Sequence, residues 1–335
     1  MGIANRNGKY CICFLFSILV YLRHMKWFAI INPVSGFGKA GKKWAAIQQE
    51  LKAQGFDYDY EMTTAERHGD AVVRTAIERG ERYIISVGGD GNLHDIVNGI
   101  MTQQVVPSTA ITVAMLSLGT GNDWIKSYGV PSNYKKAITT ILAGKTMLQH
   151  VGIAKSHKDG KPTTRYFHNF SGVGFDAYVV ARTAPFKHYG QIAYLLGMLR
   201  CLFSYQLPLL RIVIDGQMLE TRTYLILGGI GKYAGGGMKL CPGAEPAGAG
   251  LWLSIAKNFS KLEIFRHILK LYDGTYTQLP KAAVYKEVQE ITIEVLERND
   301  EVYMEADGDV LGTGPFYISY IPQALRMVVG EIATK

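Results

Sequence analysis

Short apolar runs alternate with segments of helical periodicity in the first half of the chain, and this alternation constrains the fold more than any other feature. Extended runs are predicted at 28–32, 56–62, 83–87 and 111–117. Helices are predicted at 40–54, 69–79, 93–101 and 134–143. Because each helix would carry the chain back to the start of the next strand, the pattern is typical of an α/β domain with a parallel sheet.

The pattern changes after residue 150, where extended runs follow one another with few helices. Strands are predicted at 151–155, 166–173, 209–215, 221–229, 251–256, 290–296 and 302–306, and helices at 191–203 and 262–271. This half is predicted to be a mostly antiparallel β domain. The last runs, 316–320 and 325–329, are expected to pack on the first domain. We therefore expect an α/β domain at 25–147, with 320–335 as its candidate completion, and a β-rich domain at 148–319.

The basic composition favours anionic partners. The formal net charge is +8 and the pI is about 9.1, which suits nucleotides or acidic lipid surfaces. Basic residues are scattered, without an arginine-rich run or an aromatic RNA-binding signature, so nucleic acid is not expected as a partner. The four cysteines are too few for a disulfide framework, and no second ligand pair follows Cys11 and Cys13. A reducing compartment fits this usage.

Residues 1–24 are set apart from the rest of the chain. Their apolar run, 10–22, is too short to span a bilayer and lacks a small-residue cleavage pattern. We expect Met25 to be the true start and residues 1–24 to be an upstream extension or a weak anchor.

The run Gly88-Gly89-Asp90-Gly91 directly follows the predicted strand 83–87. Glycine permits close approach of a ligand to the backbone, and the amides at the start of the following helix would point at an anion. Such a turn suits phosphate, and Asp90 could act on a metal ion or a hydroxyl group. Taken alone, the run could also be an ordinary turn between a strand and a helix.

Two further loops of small residues follow predicted strands, at 32–36 and 118–123. The carboxyl ends of parallel strands share one edge of a sheet, where ligands bind. Gly36 to Lys42 has the spacing of a Walker A loop, but Lys43 stands where that loop needs Ser or Thr. An acidic residue at the distance typical of a dinucleotide fingerprint is also missing. Convergence of the three loops therefore predicts a mononucleotide site of another kind.

The motifs, taken in order, resemble those of the diacylglycerol kinase catalytic-domain family, lipid kinases related to sphingosine and ceramide kinases. They are Asn32-Pro33-Val34-Ser35-Gly36, the run from Gly88 to Gly99, Gly119-Thr120-Gly121-Asn122-Asp123, Gly235-Gly236-Gly237-Met238, and Asp307-Gly308-Asp309 followed by Pro322 to Arg326. The resemblance implies a first domain like that of phosphofructokinases and NAD kinases and a C-terminal β sandwich. It also implies ATP-dependent phosphorylation of a lipid hydroxyl in the cleft between them.

The resemblance implies roles for individual residues. Asp309 is the expected proton acceptor, where the family generally has Glu, and Asp307 and Asp90 stay open as alternatives for that role. Mg²⁺ is expected with ATP, and its protein ligands are not identified. The implied nucleotide contacts are Asn32, Pro33, Val34, Ser35, Gly36, Thr64, Gly88, Gly89, Asp90, Gly91, Asn92, Leu93, His94, Thr120, Asn122 and Asp123.

The chain departs from the family at 247–254, where relatives usually carry acids that bind a second, structural Mg²⁺. We expect that second site to be absent or rebuilt. The apolar segment 189–203, flanked by Lys187, His188 and Arg200, is either a lipid contact or a buried core helix.

Two other functions stay open at this point. One is an NAD kinase-like small-molecule kinase, against which the 119–123 loop and the late Asp-Gly-acid motif argue. The other is a non-catalytic nucleotide- or lipid-binding protein. The favoured protein is cytoplasmic and peripherally membrane-associated, takes ATP and a lipid substrate at the membrane surface, and acts in phospholipid biosynthesis. A homodimer stays open.

Overall fold

The computed structural model describes residues 25–64, 68–183, 197, 200–297 and 301–331. The expected upstream extension and most of the predicted helix at 191–203 lie outside these residues. Within them, no helix is both long and apolar enough to cross a membrane.

The first domain is a parallel sheet with helices packed on it. Its strands are β1 (Lys26–Ile31), β2 (Asp57–Met62), β3 (Tyr83–Gly88) and β4 (Thr112–Ser117), in the spatial order β4-β3-β1-β2. Its helices are α1 (Ser35–Ala53), α2 (Gly69–Glu78), α3 (Asp90–Thr102), α4 (Asp123–Tyr128) and α5 (Tyr134–Ala143). Because β2 and β3 lie on opposite sides of β1, the order in which the strands are added to the sheet reverses at β1. In open α/β sheets, ligands bind in the crevice at such a point.

Burial explains why these segments fold as they do. All six residues of β4 and five of the six in β3 are buried, as expected for parallel strands covered on both faces. In α1, Trp44, Ile47 and Leu51 lie three or four residues apart and are buried against the sheet. The first core therefore sits between this sheet and its helices.

The second domain is an antiparallel sandwich. Its strands are β5 (Thr146–Lys158), β6 (Lys161–Phe167), β7 (Phe170–Gly174), β8 (Leu209–Ile214), β9 (Gln217–Gly229), β10 (Leu251–Lys257), β11 (Ala282–Val288), β12 (Glu290–Val295), β13 (Tyr303–Ala306) and β14 (Asp309–Val328). Its helices are α6 (Phe175–Thr183), α7 (Lys261–His267) and α8 (Lys270–Asp273). A short 3₁₀ turn covers Thr275–Gln278 in this domain, and another covers Ser108–Ala110, before β4 of the first domain.

Two long strands join the layers of the sandwich. The first half of β9 pairs with β8, and its second half pairs with β7 and β10. Likewise, β14 pairs in turn with β13, β12 and β5. A separate apolar core fills this domain, with Phe167, Ile293 and Phe316 among its buried residues.

The end of β14 returns to the first domain. Arg326 pairs with Thr112 and Met327 with Val113, both in parallel with β4. Leu325, Met327 and Val329 are buried in the core of the first domain. One continuous sheet therefore runs through both domains.

The predicted fold class is confirmed, and some element boundaries were wrong. The predicted strand at 166–173 is divided into β6 and β7 at His168 and Asn169. The two predicted final strands form one strand, β14, with a register shift between Ile321 and Leu325. Sequence periodicity missed α4, α6 and β11, which are short or only partly buried.

Candidate active site

The loops after β1, β3 and β4 lie against one another. A Cβ atom built on Gly36 would fall 2.1 Å from the carbonyl oxygen of Leu118, and one built on Gly119 would fall 2.5 Å from the Cα atom of Gly89. A Cβ atom on Gly88 would fall 3.0 Å from the Ser35 hydroxyl. Only glycine allows this backbone contact, so the structure brings together the three loops that the motifs singled out.

The loop after β1 has an unusual backbone. Gly36, Phe37 and Gly38 have φ values of 61°, 58° and 79°, so the regular part of α1 begins only after them. The Asn32 side-chain oxygen accepts a hydrogen bond of 3.2 Å from the Val34 amide. The turn leaves the side chains of Val34 and Phe37 exposed. This exposed loop beside two glycine turns has the shape of an anion-binding cradle.

Asp90 joins the loop after β3 to the loop after β4. Its two carboxylate oxygens accept hydrogen bonds from the amides of Asp123, at 3.1 Å, and Trp124, at 3.3 Å. Burial raises the pKa of Asp90 above its ordinary value. The residue therefore holds the start of α4 in place as well as contributing a carboxylate to the crevice.

The other predicted nucleotide contacts differ in their surroundings. Asn92 is buried and donates to the Ile30 carbonyl, at 3.2 Å, and the Ser86 hydroxyl, at 3.0 Å, so its side chain supports the strands beneath the crevice. Leu93 is a fully buried core residue. Thr64 and Thr120 are exposed. The Asn122 side chain donates to the Gly119 carbonyl at 2.9 Å and closes its own loop.

Asp123 connects the two domains. One of its carboxylate oxygens lies 2.7 Å from the Lys126 ammonium, and the other accepts a 2.7 Å hydrogen bond from the Gly236 amide of the second domain. Gly235, Gly236 and Gly237 all have positive φ, which explains the glycine run in this motif. Asp123 is thus paired within the protein on both of its oxygens.

A buried histidine–carboxylate network lies at the same junction. His94 comes from α3 of the first domain, and its Nδ1 is 3.1 Å from Asp307 Oδ2. His168, between β6 and β7, has its Nδ1 2.7 Å from the same oxygen. The amides of His168, Asn169 and Phe170 donate to the Asp307 carboxylate at 2.8, 3.1 and 3.0 Å.

Both oxygens of Asp307 are therefore occupied. Burial alone would raise the pKa of this carboxyl, but the charge and close contact of His168, together with the His94 contact, hold it well below its ordinary range. A carboxylate with so low a pKa is a weak proton acceptor. Asp307 acts here as the anchor of the turn from Asp307 to Asp309.

Asp309 differs from Asp307 in exposure. Its side chain is 36% exposed, and its Oδ2 lies 3.5 Å from His94 Nε2. Asn98 Nδ2 lies 3.3 Å from His94 Nε2 and donates to the carbonyls of His94 and Tyr166, each at 2.9 Å. The His94 ring thus bridges a buried carboxylate and an accessible one.

His94, His168 and Asp307 are close enough together to hold a metal ion, since their ligand atoms lie within 4.8 Å of one another. The set has two nitrogens and one oxygen, whereas Mg²⁺ prefers oxygen ligands. The nitrogen atoms also lie at pairing distance from the carboxylate itself. The cluster is better described as a charge network than as a magnesium site.

Two further buried carboxyls lie behind the network, and sequence reasoning missed them. Glu305 is 1% exposed, and its Oε2 accepts a 2.6 Å hydrogen bond from the Gly308 amide. Both carboxylate oxygens of Asp176 are buried as well, and the side chain of Glu305 contacts this carboxyl. A Cβ atom on Gly172 would fall 1.7 Å from Asp176 Oδ2, so only glycine fits beneath this side chain.

The pKa values explain how this pair is tolerated. Burial raises the pKa of Asp176 to about 7, and burial together with the nearby Asp176 raises the pKa of Glu305 well above its ordinary value. Two buried carboxyls that face each other share a proton, because both cannot ionise at low cost. The shared proton lets Glu305 support the turn that carries Asp309.

The segment that departs from the family at 247–254 is held by hydrogen bonds. His150 Nε2 lies 2.9 Å from the Gly248 carbonyl, and the Ala249 carbonyl accepts from Gln289, at 2.9 Å, and Tyr320, at 3.0 Å. Neutral side chains thus contact these carbonyls. Loss or rebuilding of the second magnesium site stays a prediction.

Both domains match known protein families. Residues 26–154 match the family described as the diacylglycerol kinase catalytic domain, and residues 170–329 match the YegS C-terminal NAD kinase beta sandwich-like domain. A diacylglycerol kinase of Mycobacterium tuberculosis strain H37Rv is 28% identical over 306 residues, which cover 90% of this chain and 94% of that protein. A diacylglycerol kinase of Bacillus subtilis strain 168 is 25% identical over 293 residues, covering 85% and 90%.

Solved structures share the fold. The crystal structure of a diacylglycerol kinase from Bacillus anthracis strain Sterne superposes with a TM-score of 0.68 at 21% identity, covering 92% of this chain and 98% of that one. Yeast NADH kinase complexed with NADH has a TM-score of 0.51 at 12% identity, covering 92% and 84%. The α/β domain followed by the sandwich is the fold that this chain shares with the diacylglycerol kinase and NADH kinase structures. The chain thus carries a diacylglycerol kinase catalytic domain followed by a YegS-type C-terminal domain, as its motifs predict, and the curated relatives named above are diacylglycerol kinases.

Contact between the glycine loops can be tested with Gly119→Ala. The added methyl group would fall within 2.5 Å of the Gly89 backbone, so the two loops must separate. We expect the dissociation constant for a fluorescent ATP analogue to rise by at least about tenfold, because backbone donors would leave their positions. In Gly228→Ala, the methyl group would approach side chains only to 3.4 Å, and binding should be unchanged. Equal binding by both variants would contradict the proposed contact.

The proton shared by Asp176 and Glu305 predicts a pH dependence of stability. The pKa of Asp176 is about 7 in the folded state and near 4 in the unfolded state, so only the folded state keeps this proton between these pH values. The free energy of unfolding therefore falls as the pH rises from about 4 through 7. We expect the wild-type Tm to fall more between pH 5 and pH 8 than that of Asp176→Asn, by about 4 °C or more. Asp159→Asn, on an exposed turn, should follow the wild type. Parallel melting profiles of the wild type and Asp176→Asn would exclude a shared proton.

Proposed function

We propose that this protein transfers the γ-phosphoryl group of ATP to the hydroxyl group of a lipid such as diacylglycerol. The observation that carries the proposal is the position of Asp309, an accessible carboxylate whose Oδ2 lies 3.5 Å from Nε2 of His94, a residue of the helix that begins at the glycine cradle. The relatives named diacylglycerol kinase support the choice of lipid. The chemistry would take place at a membrane surface, on the cytoplasmic side, as a step of phospholipid biosynthesis.

The glycine cradle suits the phosphates of ATP. Backbone amides of the loops at 32–36, 88–91 and 119–123 would meet the phosphate oxygens, and Lys39 or Lys42 would offset their charge. Such positioning and charge neutralisation provide most of the catalysis in phosphoryl transfer. A side chain at Gly36 or Gly119 would collide with a neighbouring loop, whereas a Cβ atom on Gly38 or Gly91 would meet nothing within 4 Å. The loops therefore pack closely together and leave open space beside them in which a phosphate group can lie.

Mg²⁺ is expected to accompany ATP, and Asp90 is the carboxylate in the cradle best placed to hold it. When bound, the ion would neutralise charge on the phosphate oxygens. Each Asp90 oxygen accepts one amide hydrogen bond and keeps a further lone pair for a ligand. This use of Asp90 agrees with its place at the first turn of α3.

Asp309 would accept the proton of the lipid hydroxyl as the oxygen attacks phosphorus. His94 would hold the carboxylate in place through its Nε2, while Asp307 holds the His94 ring through its Nδ1. Asp307 is poorly suited to be the base because its oxygens are occupied and its pKa is lowered. Asp309 is one methylene shorter than the Glu of relatives, so the His94 contact matters more for its position.

The reaction can be tested by incubating the purified protein with radiolabelled ATP, Mg²⁺ and a panel of acceptors. The panel contains diacylglycerol, phosphatidylglycerol, a sphingoid base, undecaprenol and NAD. Label in a lipid extract would support the proposal and name the acceptor. Label in NAD alone would favour the small-molecule kinase, and ATP binding without transfer would indicate a non-catalytic protein.

Substitution of Asp309 tests the assignment of the base. We expect Asp309→Asn to lower kcat by about 10² to 10⁴ with little change in the KM for ATP, because proton transfer is lost while the cradle is retained. Asp309→Glu, which restores the side chain common in the family, should retain most of the turnover. If Asp309→Asn turns over as fast as the wild type, another group must accept the proton of the lipid hydroxyl.

Asp307→Asn should instead fail by losing stability. An amide at this place would turn donor groups toward the histidines and the three amides, and a broken buried charge pair costs about 3–5 kcal/mol. We therefore expect the urea midpoint to fall strongly, whereas Asp309→Asn should unfold near the wild-type midpoint. Equal midpoints for the two variants would show that Asp307 does not anchor the turn.

A further inference from the structure

The helices α7 and α8 carry large apolar side chains on the outside of the second domain. Leu262, Phe265, Leu269 and Tyr272 are 68%, 63%, 77% and 55% exposed. They follow one another at intervals of three, four and three residues, which places them along one side of the helical segment. Scattered single apolar residues on a surface are ordinary, but a continuous row of four is not.

The opposite side of the same helices already provides their packing. Ile264 packs against a buried cluster that contains Tyr178, Tyr205 and Tyr224, and Leu271 packs against a cluster that contains Trp252. The fold is therefore satisfied by the inner side, and the outer row adds nothing to either core.

Phe203 extends the exposed row. Its side chain is 67% exposed, and its carbonyl accepts a hydrogen bond from the Lys261 ammonium at the start of α7. We call Phe203, Leu262, Phe265, Leu269 and Tyr272 the apolar face. These residues are five of the eleven large apolar side chains that are exposed among the described residues, so exposure is concentrated here.

Basic residues outnumber acidic ones in the segment that carries most of the apolar face. Residues 257–281 contain five Lys or Arg and two acids. One acid, Glu263, forms a capping box with Ser260 at the start of α7, and its carboxylate lies 2.7 Å from the Lys281 ammonium. The other acid, Asp273, accepts hydrogen bonds from the amide and the hydroxyl of Thr275, at 2.8 and 2.7 Å. Arg266 is exposed between Phe265 and Leu269. The face is thus complementary to an anionic surface.

We propose that the apolar face docks on a bilayer that contains anionic lipids, with its apolar side chains in the interface and its basic residues near the phosphate headgroups. Apolar side chains beside Lys and Arg are the combination by which helices lie in a membrane interface. This proposal rests on the proposed function, since it names the surface from which that kinase takes its lipid.

The apolar face is connected to the catalytic network through packed side chains. Ile264 of α7 contacts the aromatic cluster to which Tyr178 of α6 and Tyr303 of β13 also belong. The turn from Asp307 to Asp309 directly follows β13. The apolar face and the turn that carries Asp309 therefore lie on parts of the second domain that pack on one aromatic cluster.

Co-sedimentation with vesicles tests the proposal without any catalytic step. Wild-type protein is mixed with phosphatidylcholine vesicles, with or without phosphatidylglycerol, at low and high salt. We expect binding to the phosphatidylglycerol vesicles that weakens with salt, and at least about tenfold weaker binding by the double variant Phe265→Ser, Leu269→Ser. The matched control is Met218→Ser, since Met218 is 66% exposed on β9, away from the face; it should bind as the wild type does.

Turnover separates this proposal from the proposed function. With a short-chain diacylglycerol dispersed in water, the double variant should match the wild type, and with vesicle-bound substrate it should be slower. Unchanged vesicle binding by the double variant would overturn the docking proposal even if the protein is an active kinase. So would a wild-type dimer in sedimentation that the double variant dissociates, because the face would then bind a second copy. Loss of kinase activity on every acceptor, with vesicle binding intact, would count against the proposed function alone.

Discussion

The arrangement of the active site depends on the burial of one carboxylate, that of Asp307. An ionised carboxylate in a protein interior is tolerated only when charge and hydrogen bonds replace its water. Here the replacement comes from His94 in the first domain and from His168, Asn169 and Phe170 in the second. The Asp307 carboxylate therefore has its full set of partners only when both domains are in place. Asp309 is positioned by the same contacts, because it lies two residues further along the same turn.

The same requirement explains an irregularity in the sandwich. The predicted strand at 166–173 breaks between β6 and β7, and the amides freed at His168 and Asn169 donate to Asp307 instead of to a neighbouring strand. Backbone donors cannot be left unpaired in the interior, so the break and the buried carboxylate stabilise each other. Asn98 adds a second tie, because its side chain bonds both the carbonyl and the amide of Tyr166.

How much was predictable depended on whether a feature is local in sequence. The glycine loops could be found because contact with a neighbouring backbone at Gly36 and Gly119 demands the smallest residue, and glycine runs at strand ends are visible. His168 and Asp176 lie in no recognisable run, and their partners are more than 120 residues away along the chain. Buried carboxyls such as Glu305 also look like surface residues in a sequence, because acids are usually exposed. Residues of this kind are found only once the fold has placed them together.

Apolar periodicity has the same ambiguity in the opposite direction. The segment 262–271 shows helical spacing of apolar residues, which by itself predicts packing against a core, and Ile264 and Leu271 do pack in this way. Leu262, Phe265 and Leu269 have the same chemistry and remain outside. A helix that is apolar on two sides, and packs on its own domain with only one of them, needs a second apolar environment for the outer side. Since the substrate proposed for the buried network is itself a lipid, one environment, the bilayer, would satisfy both the outer side of these helices and the requirement for substrate.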